Sequence, residues 1–486
     1  MFFYCLVGVF IGTLVGVLPG IGPIGAMSML LPATYGISPT GSIIMLAGIY
    51  YGCMYGGSTT SILVNIPGEA SSVITCLDGY QMAKKGRAGP ALGISAMGSF
   101  IGGTVAIIGL MFLAFPLARA ALKFGAPEFF SVMVLAMTIL AYMAVRSAVN
   151  AFLMILVGLI LGCVGMDPVS GIPRFFFGSP SLLDGIGVVP AAMGLFGVSE
   201  VFSNIGVKQE REILKTKIKN ILPNLDDWKK SIGPIWRGSI IGFFLGILPG
   251  AGSIMSTFVS YTMEKKLSRR PEEFGKGAIE GVAGPETANN AGAGGAFVPM
   301  LALGIPPTAV MALLLSALII HGVTPGPLLL KQHPEIFWGV IASMYMGNLA
   351  LLVLNLPLVG LWVQVLKIPS KLLLPLILLI CLAGVYTINN NVTDIVVMTI
   401  FGVAGYILRR AGYELAPLIM ALVLGPLMET NWRSALILSD GSLSIFVTRP
   451  ISVTCLVISV LLLLSTAFTT YRRAKKRVVE EAGEGD

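Results

Sequence analysis

The chain has 486 residues, of which 55% are hydrophobic, 12% are charged and 59 are glycine. A charged share about half that of soluble domains cannot cover so much apolar surface, which excludes a water-soluble globular protein. A net charge of +8 would point to acidic partners or nucleic acid in a soluble chain, but the basic residues cluster between apolar runs, where they set membrane orientation, and no nucleic-acid role follows.

The opening MFFYCLVGVF has no basic n-region or cleavage site and does not read as a signal peptide. Gly8, Gly12, Gly16 and Gly20 recur every four residues, a small-residue stripe that admits a close helix partner. Pro19-Gly20 then interrupts the run, and an apolar stretch (24–33) and an uncharged loop (34–42) follow. Residues 43–66 are apolar but contain GGSTTS at 56–61. Two readings stand: small residues packing a helix, or unwound backbone lining a cavity, the second favoured by four successive hydroxyls beside two glycines and near a proline. After Glu69, Asp78 and the basic turn Lys84, Lys85 and Arg87, four spans fit at 91–115, 129–145, 148–165 and 186–204. Residues 206–237 carry basic and acidic side chains with Trp228 and Trp236 and read as a cytoplasmic, helical connector. The second half adds the segment 238–263, a charged turn at 264–276, and further apolar runs such as 336–353 and 451–469.

The two halves repeat one order of signals. GVLPGIGP at 16–23 returns as GILPGAGS at 246–253, and each is followed by a Gly-Gly tract and an Ile-Pro: Gly56-Gly57 with Ile66-Pro67, then Gly294-Gly295 with Ile305-Pro306. Both flanks of 238–263 are basic, so a single crossing would place them on opposite sides, against the positive-inside tendency. A re-entrant hairpin with its tip at 248–253 keeps both inside, and the first copy, tip 18–23, then enters from the other face. The expected fold is therefore all-α and polytopic, with two inverted-topology repeats: 1–205, with a broken helix at 43–68, and 238–470, with a broken helix at 277–320, followed by a cytoplasmic tail at 471–486.

The densest polar constellation in an apolar setting is EGVAGPETANNAGAGG at 280–295, with a glycine-alanine tract beyond Pro285. One reading is a polar loop returning to solvent; the other is a discontinuous helix whose N–H groups meet an anion and whose carbonyls meet a cation. On the second, Ser58, Thr59, Thr60 and Asn65 of the first half and Thr287, Asn289 and Asn290 of the second line an anion site. Glu286, costly to bury alone, and the backbone at Gly20, Gly22, Gly250 and Gly252 are the candidates for a coupling Na+ or proton. Glu286 has a purely structural alternative, holding the broken helix. No other metal or cofactor is expected: the two histidines, His321 and His333, have no cysteine near them, and the six scattered cysteines form no CxxC. GIGPIG at 20–25 satisfies GxGxxG but comes after a membrane helix rather than a strand, and no nucleophile–base set marks an enzyme.

The motifs LVGVLPGIGP, YGGSTTSILVNIPGE, DGYQMAKKGRAGPALG, GFFLGILPGAG and EGVAGPETANNAGAGGAFVPMLALGIPP, spread over essentially the whole chain, resemble the large membrane subunit of the tripartite tricarboxylate transporters, the TctA type. The resemblance implies a bacterial inner-membrane, cation-coupled importer of an organic carboxylate. Its implied partners are a small four-helix membrane subunit of the TctB type and a periplasmic solute-binding protein of the TctC type. Family members usually carry a further N-terminal apolar stretch, whereas this chain begins almost at the first motif. An ion channel or intramembrane enzyme is the alternative; a channel does not need two inverted hairpins, and a protease would need a catalytic pair in the membrane.

Overall fold

A computed structural model of the chain describes residues 1–18, 21–144, 147–167, 169–204, 221–250, 252–366 and 370–483. Apart from a two-residue antiparallel ladder, Gly165–Met166 with Pro173–Arg174, its regular elements are helices. It divides into two compact units, 1–122 with 186–410 and 123–185 with 411–486, each drawing on both sides of the connector.

In the first unit, the glycine-proline motifs end two helices in the same way. Phe2–Val17 stops at Leu18 and Leu225–Ile247 at Leu248, both extended because a proline comes next. Gly22 (φ +62°), Gly250 (φ +79°) and Gly252 (φ +49°) supply the left-handed backbone that starts the return helices Gly22–Leu30 and Gly252–Leu267.

The packing beyond each return shows that the chain doubles back. In the first half the next long helix, Pro39–Val64, begins beside the start of Phe2–Val17: a Cβ on Gly41 would lie 2.9 Å from the Tyr4 ring. It then runs parallel to it, since a Cβ on Gly8, Gly12 or Gly16 would meet the carbonyl oxygens of Met45, Ile49 and Cys53 at 2.3, 2.3 and 2.4 Å. Glycines 230 positions later do the same work: Gly238, Gly242 and Gly246 face the carbonyls of Gly284, Ala288 and Gly292 at 2.4, 2.4 and 2.2 Å. In the second hairpin the two open ends are also tied directly, Arg237 to Glu264 at 2.5 Å. A re-entrant hairpin would keep both ends on one face of the membrane, and on that expectation single cysteines replacing the exposed Lys229 and Lys266, in a chain lacking the native six, react with an impermeant maleimide from the same side only. Labelling from opposite sides would rule out a re-entrant hairpin.

Two local expectations are corrected. GGSTTS is not unwound: Pro39–Val64 is one continuous helix through residues 56–61. Two of its hydroxyls bond back to the preceding turn, Ser58 to Met54 O at 3.2 Å and Ser61 to Gly57 O at 3.0 Å, which satisfies them in an apolar setting. Nor does Pro285 interrupt its segment, because Glu280–Gly295 is continuous. Close packing on both sides, with Gly98 and Gly102 against Thr287 and Gly238 against Gly284, outweighs the low helix propensity of glycine and proline. The breaks lie downstream, at the Ile-Pro pairs. Asn65 (φ +60°) ends the first helix, and Gly304 (φ +70°) ends Phe297–Leu303, after which Thr308 caps Ala309–Ile320. Each break meets the hairpin tip of its own half: a Cβ on Gly68 would lie 2.2 Å from Gly16 O, and the Gly250 amide donates to Pro307 O at 3.0 Å.

The connector expected at 206–237 also differs. Residues 206–220 lie outside the described residues, and Leu225–Ile247 is a single helix that runs through the expected boundary at 237, anchored by Arg87 to Asp227 at 2.5 Å. The rest of the unit includes Pro334–Asn355 and Val392–Arg410, the latter paired with the segment Met193–Val198 and through Arg409 with Glu200.

The second unit is built of Ala126–Tyr142, Ala148–Gly162, Ala416–Leu438 and Pro450–Gly483; the side chains of the expected tail, 471–486, lie outside the described residues. Its loop hairpin is pinned by Arg174 to Glu429 at 2.7 Å and by Arg433 to Asp167 at 2.8 Å. The Val169 and Ser170 amides, with Arg433, hold the Asp167 carboxyl well below the usual carboxylate range. Among the described residues three helices, Ala88–Ala121, Pro334–Asn355 and Val392–Arg410, are long and apolar enough to cross a membrane alone, and seven shorter apolar helices accompany them. The chain is an all-α polytopic membrane protein.

Candidate functional site

The polar centre of the first unit is assembled from four helices and one turn. Glu286, 1% exposed, projects from Glu280–Gly295 and accepts hydrogen bonds from Ser58 of Pro39–Val64, Thr75 of Val73–Lys84 and Ser95 of Ala88–Ala121, the last at 2.9 Å. Ser99 donates to the Glu286 carbonyl at 3.3 Å. A second carboxylate lies in the same centre. Glu69, 7% exposed, caps the short turn Ala70–Ser72 and accepts the Ser71 amide at 2.7 Å and Asn289 Nδ2 at 3.1 Å. The Ser71 hydroxyl contacts both Glu69 and Asn289 Oδ1, the latter at 2.7 Å. Glu286 and Asn289, three residues apart, lie on one face of their helix, which links the two carboxylates through a single element.

Glycine makes this arrangement possible at one point in particular. A Cβ on Gly57 would lie 2.7 Å from Glu69 Cγ, so only a bare backbone there lets the Glu69 side chain fold against the Ser58 helix. Among the described residues no lysine or arginine pairs with either carboxylate; the ion pairs all lie elsewhere. Buried carboxylates held by hydroxyls and amides alone are chemically suited to a proton or a hard, oxygen-seeking cation, which would replace the missing counter-charge. No group of three or more His, Cys, Asp or Glu side chains fit to hold a metal ion occurs among the described residues.

The residues expected to form the site divide by position. Ser58, Asn289 and Glu286 meet in the centre. Asn290 points to an adjacent cavity of ≈ 20 Å³ lined also by Tyr51 and Asn348, and its Oδ1 and the Tyr51 hydroxyl have no hydrogen-bond partner. The other wall is ordered by Tyr55, which donates to Asn348 Oδ1 at 2.7 Å. Thr60 donates to Val17 O at 2.6 Å and so holds the first hairpin tip, while Thr287 bonds to Ala283 O at 2.7 Å among the packed glycines. Thr59 is buried at 2% exposure, and Asn65 is exposed at the helix end. Gly22, Gly250 and Gly252 form the hairpin turns, and Gly20 lies outside the described residues.

Sequence reasoning missed Glu69, Ser71, Thr75 and Ser95. For Glu69 a signal existed: it comes directly after the Ile-Pro-Gly break, and a helix interrupted inside the membrane places the next residue at depth rather than at the surface. It also missed Asp78, which is fully buried. Asp78 Oδ1 accepts the amides of Gly275, Gly277 and Ala278 at 2.9, 2.7 and 2.9 Å, and Oδ2 accepts the Tyr261 hydroxyl at 2.9 Å. It thereby fixes the approach to the Glu286 helix and is a positioning residue.

The family model that matches the chain, over residues 2–420, is the tripartite tricarboxylate transporter TctA family. Two proteins of Agrobacterium vitis are similar. One, described as an uncharacterized 52.8 kDa protein in the TAR-I ttuC' 3'region, is 49% identical over 478 residues, covering 98% of this chain and 95% of the relative. The other, an uncharacterized protein in the TAR-II ttuC' 3'region, is 48% identical over 240 residues, covering 49% of this chain and 99% of the relative. No solved structure matches.

Proposed function

From the premise that the chain belongs to the tripartite tricarboxylate transporter TctA family, a family of transporter subunits and not of enzymes, we propose that it imports an organic carboxylate across the bacterial inner membrane by cation symport. A TctC-type periplasmic binding protein delivers the substrate, and a TctB-type small membrane subunit completes the system. The observation that carries the symport reading is the pair of buried carboxylates, Glu69 and Glu286, surrounded by hydroxyl and amide donors without a basic partner among the described residues.

The energetics explain why such a site belongs in this transporter. An anion entering a negative interior climbs about 2.3 kcal/mol per charge per 100 mV, so a di- or tricarboxylate needs co-transported cations in excess of its own charge. Glu69 and Glu286 take up Na+ or a proton, and the carbonyls of Gly22, Gly250 and Gly252 in the hairpin turns extend the ligand set. Ser58, Thr59, Thr60, Asn65, Thr287, Asn289 and Asn290 make up the wider carboxylate region, with Asn290 the foremost because it lines the cavity beside the centre and carries an amide NH2 that can donate to an anion. The test is uptake into proteoliposomes carrying the full chain and the small subunit, with the binding protein outside. Imposed Na+ or proton gradients are expected to drive accumulation of a labelled carboxylate, and Asn290→Ala to raise the half-saturating substrate concentration by roughly ten- to a hundredfold through loss of one hydrogen bond to a charged ligand. Uptake indifferent to every cation gradient would defeat the symport reading, and unchanged saturation in Asn290→Ala would move the carboxylate site away from this cavity.

A further inference from the structure

At the open end of the second hairpin, away from the carboxylate centre, the first unit carries an open cavity of ≈ 320 Å³, within the size range of small-ligand sites. Lys230, Arg237, Arg269 and Arg270 line it, together with Glu264, Glu273 and Glu280. Arg237 is engaged by Glu264 at 2.5 Å and Arg270 by Glu273 at 3.1 Å. Lys230 and Arg269 have no carboxylate within ion-pair distance among the described residues. Four cations against three carboxylates leave one positive charge, the complement of a single phosphodiester.

The wall of this cavity is continuous with an apolar track. Leu267 lines the cavity and is 57% exposed, and Met263 and Val259, each four residues earlier on the same helix, are 39% and 40% exposed. Since Gly252–Leu267 connects the hairpin tip to the open end, these three side chains form one row leading from the basic cavity into the apolar layer. Trp236, 55% exposed and next to Arg237, stands at the same level, where aromatic side chains mark the boundary between headgroups and hydrocarbon.

We propose that this cavity is a headgroup site for an anionic phospholipid, with the phosphate between Lys230 and Arg269 and an acyl chain along Leu267, Met263 and Val259. Cationic pockets between membrane helices hold such headgroups by charge and hydrogen bonding, while the adjoining row accounts for a lipid rather than a soluble anion. The lipid would brace the open end of the hairpin that packs against the Glu286 helix, independently of what is transported.

The experiment uses the full chain, delipidated in detergent and titrated with phosphatidylglycerol or phosphatidylcholine under native mass spectrometry. Phosphatidylglycerol is expected to be retained in preference, and the double variant Lys230→Ala/Arg269→Ala to weaken it by roughly thirtyfold for two lost cations. The pair Lys265→Ala/Lys266→Ala, exposed on the same helix but outside the cavity, is expected to leave retention unchanged. Equal retention of phosphatidylcholine, equal loss in the control pair, or displacement of the lipid by glycerol phosphate at similar concentration would each overturn the proposal. The first two would make the attraction non-specific, and the third would make the cavity a site for a soluble anion.

Discussion

Glu286→Gln is expected to abolish gradient-driven uptake while leaving a folded protein in the membrane. The side chain accepts three hydroxyls, from Ser58, Thr75 and Ser95, and hydroxyls rotate, so in an isosteric glutamine those facing the amide oxygen still donate to it and those facing the NH2 can turn to accept from it. What the amide cannot do is supply the negative charge a cation or proton requires. Loss of a charged ligand corresponds to about 1.5–3 kcal/mol, or roughly ten- to a hundredfold in the half-saturating cation concentration. Substrate exchange at equilibrium, which needs binding but no net driving force, separates lost coupling from lost folding. Glu69→Gln is expected to act in the same direction, since its carboxylate shares Asn289 with the same helix. If Glu286→Gln still accumulates substrate in proportion to the gradient, the residue is structural and coupling rests on the hairpin carbonyls.

The second large effect concerns glycine. Gly246→Val is expected to prevent accumulation of folded protein, and Gly246→Ala to lower its thermal midpoint by several degrees. A Cβ at this position would lie 2.2 Å from Gly292 O and 2.8 Å from Gly292 Cα, which are backbone atoms unable to swing aside, so the two helices must separate. Overpacking of this kind costs about 1–3 kcal/mol and occasionally more. The cost also reaches the site, because Gly292 belongs to the helix that carries Glu286 and Asn289. Gly360→Ala is the control: it lies in Val359–Val365 with nothing within 4 Å of its Cβ position, and no loss of stability is expected. Equal midpoints for Gly246→Ala and Gly360→Ala would show that close helix approach does not limit this fold.

Much of the architecture was legible in the residues because membrane folding leaves few options. Long apolar runs had to be helices, and the repeated Leu-Pro-Gly-x-Gly had to interrupt them, since proline restrains the residue before it and glycine takes the left-handed turn. The four-residue glycine stripe likewise announced a close helix partner, although only the structure named the partner as Pro39–Val64. Continuity of the polar segments was misread for one reason: Gly, Ser, Thr and Pro are poor helix formers in isolation, yet in these interfaces their smallness admits the neighbouring backbone, and that packing decides.

The class of fold, the doubled order of Leu-Pro-Gly and Ile-Pro signals, and the family could all be read from the residues alone. Only the tertiary structure decided that Glu69 joins Glu286, that Thr75 and Ser95 complete its shell, and that Thr60 serves the hairpin tip instead. The reason is distance along the chain: Thr75 and Ser95 are single hydroxyls 211 and 191 residues from Glu286 with no local pattern, and they converge only because glycine contacts bring the helices of both halves together.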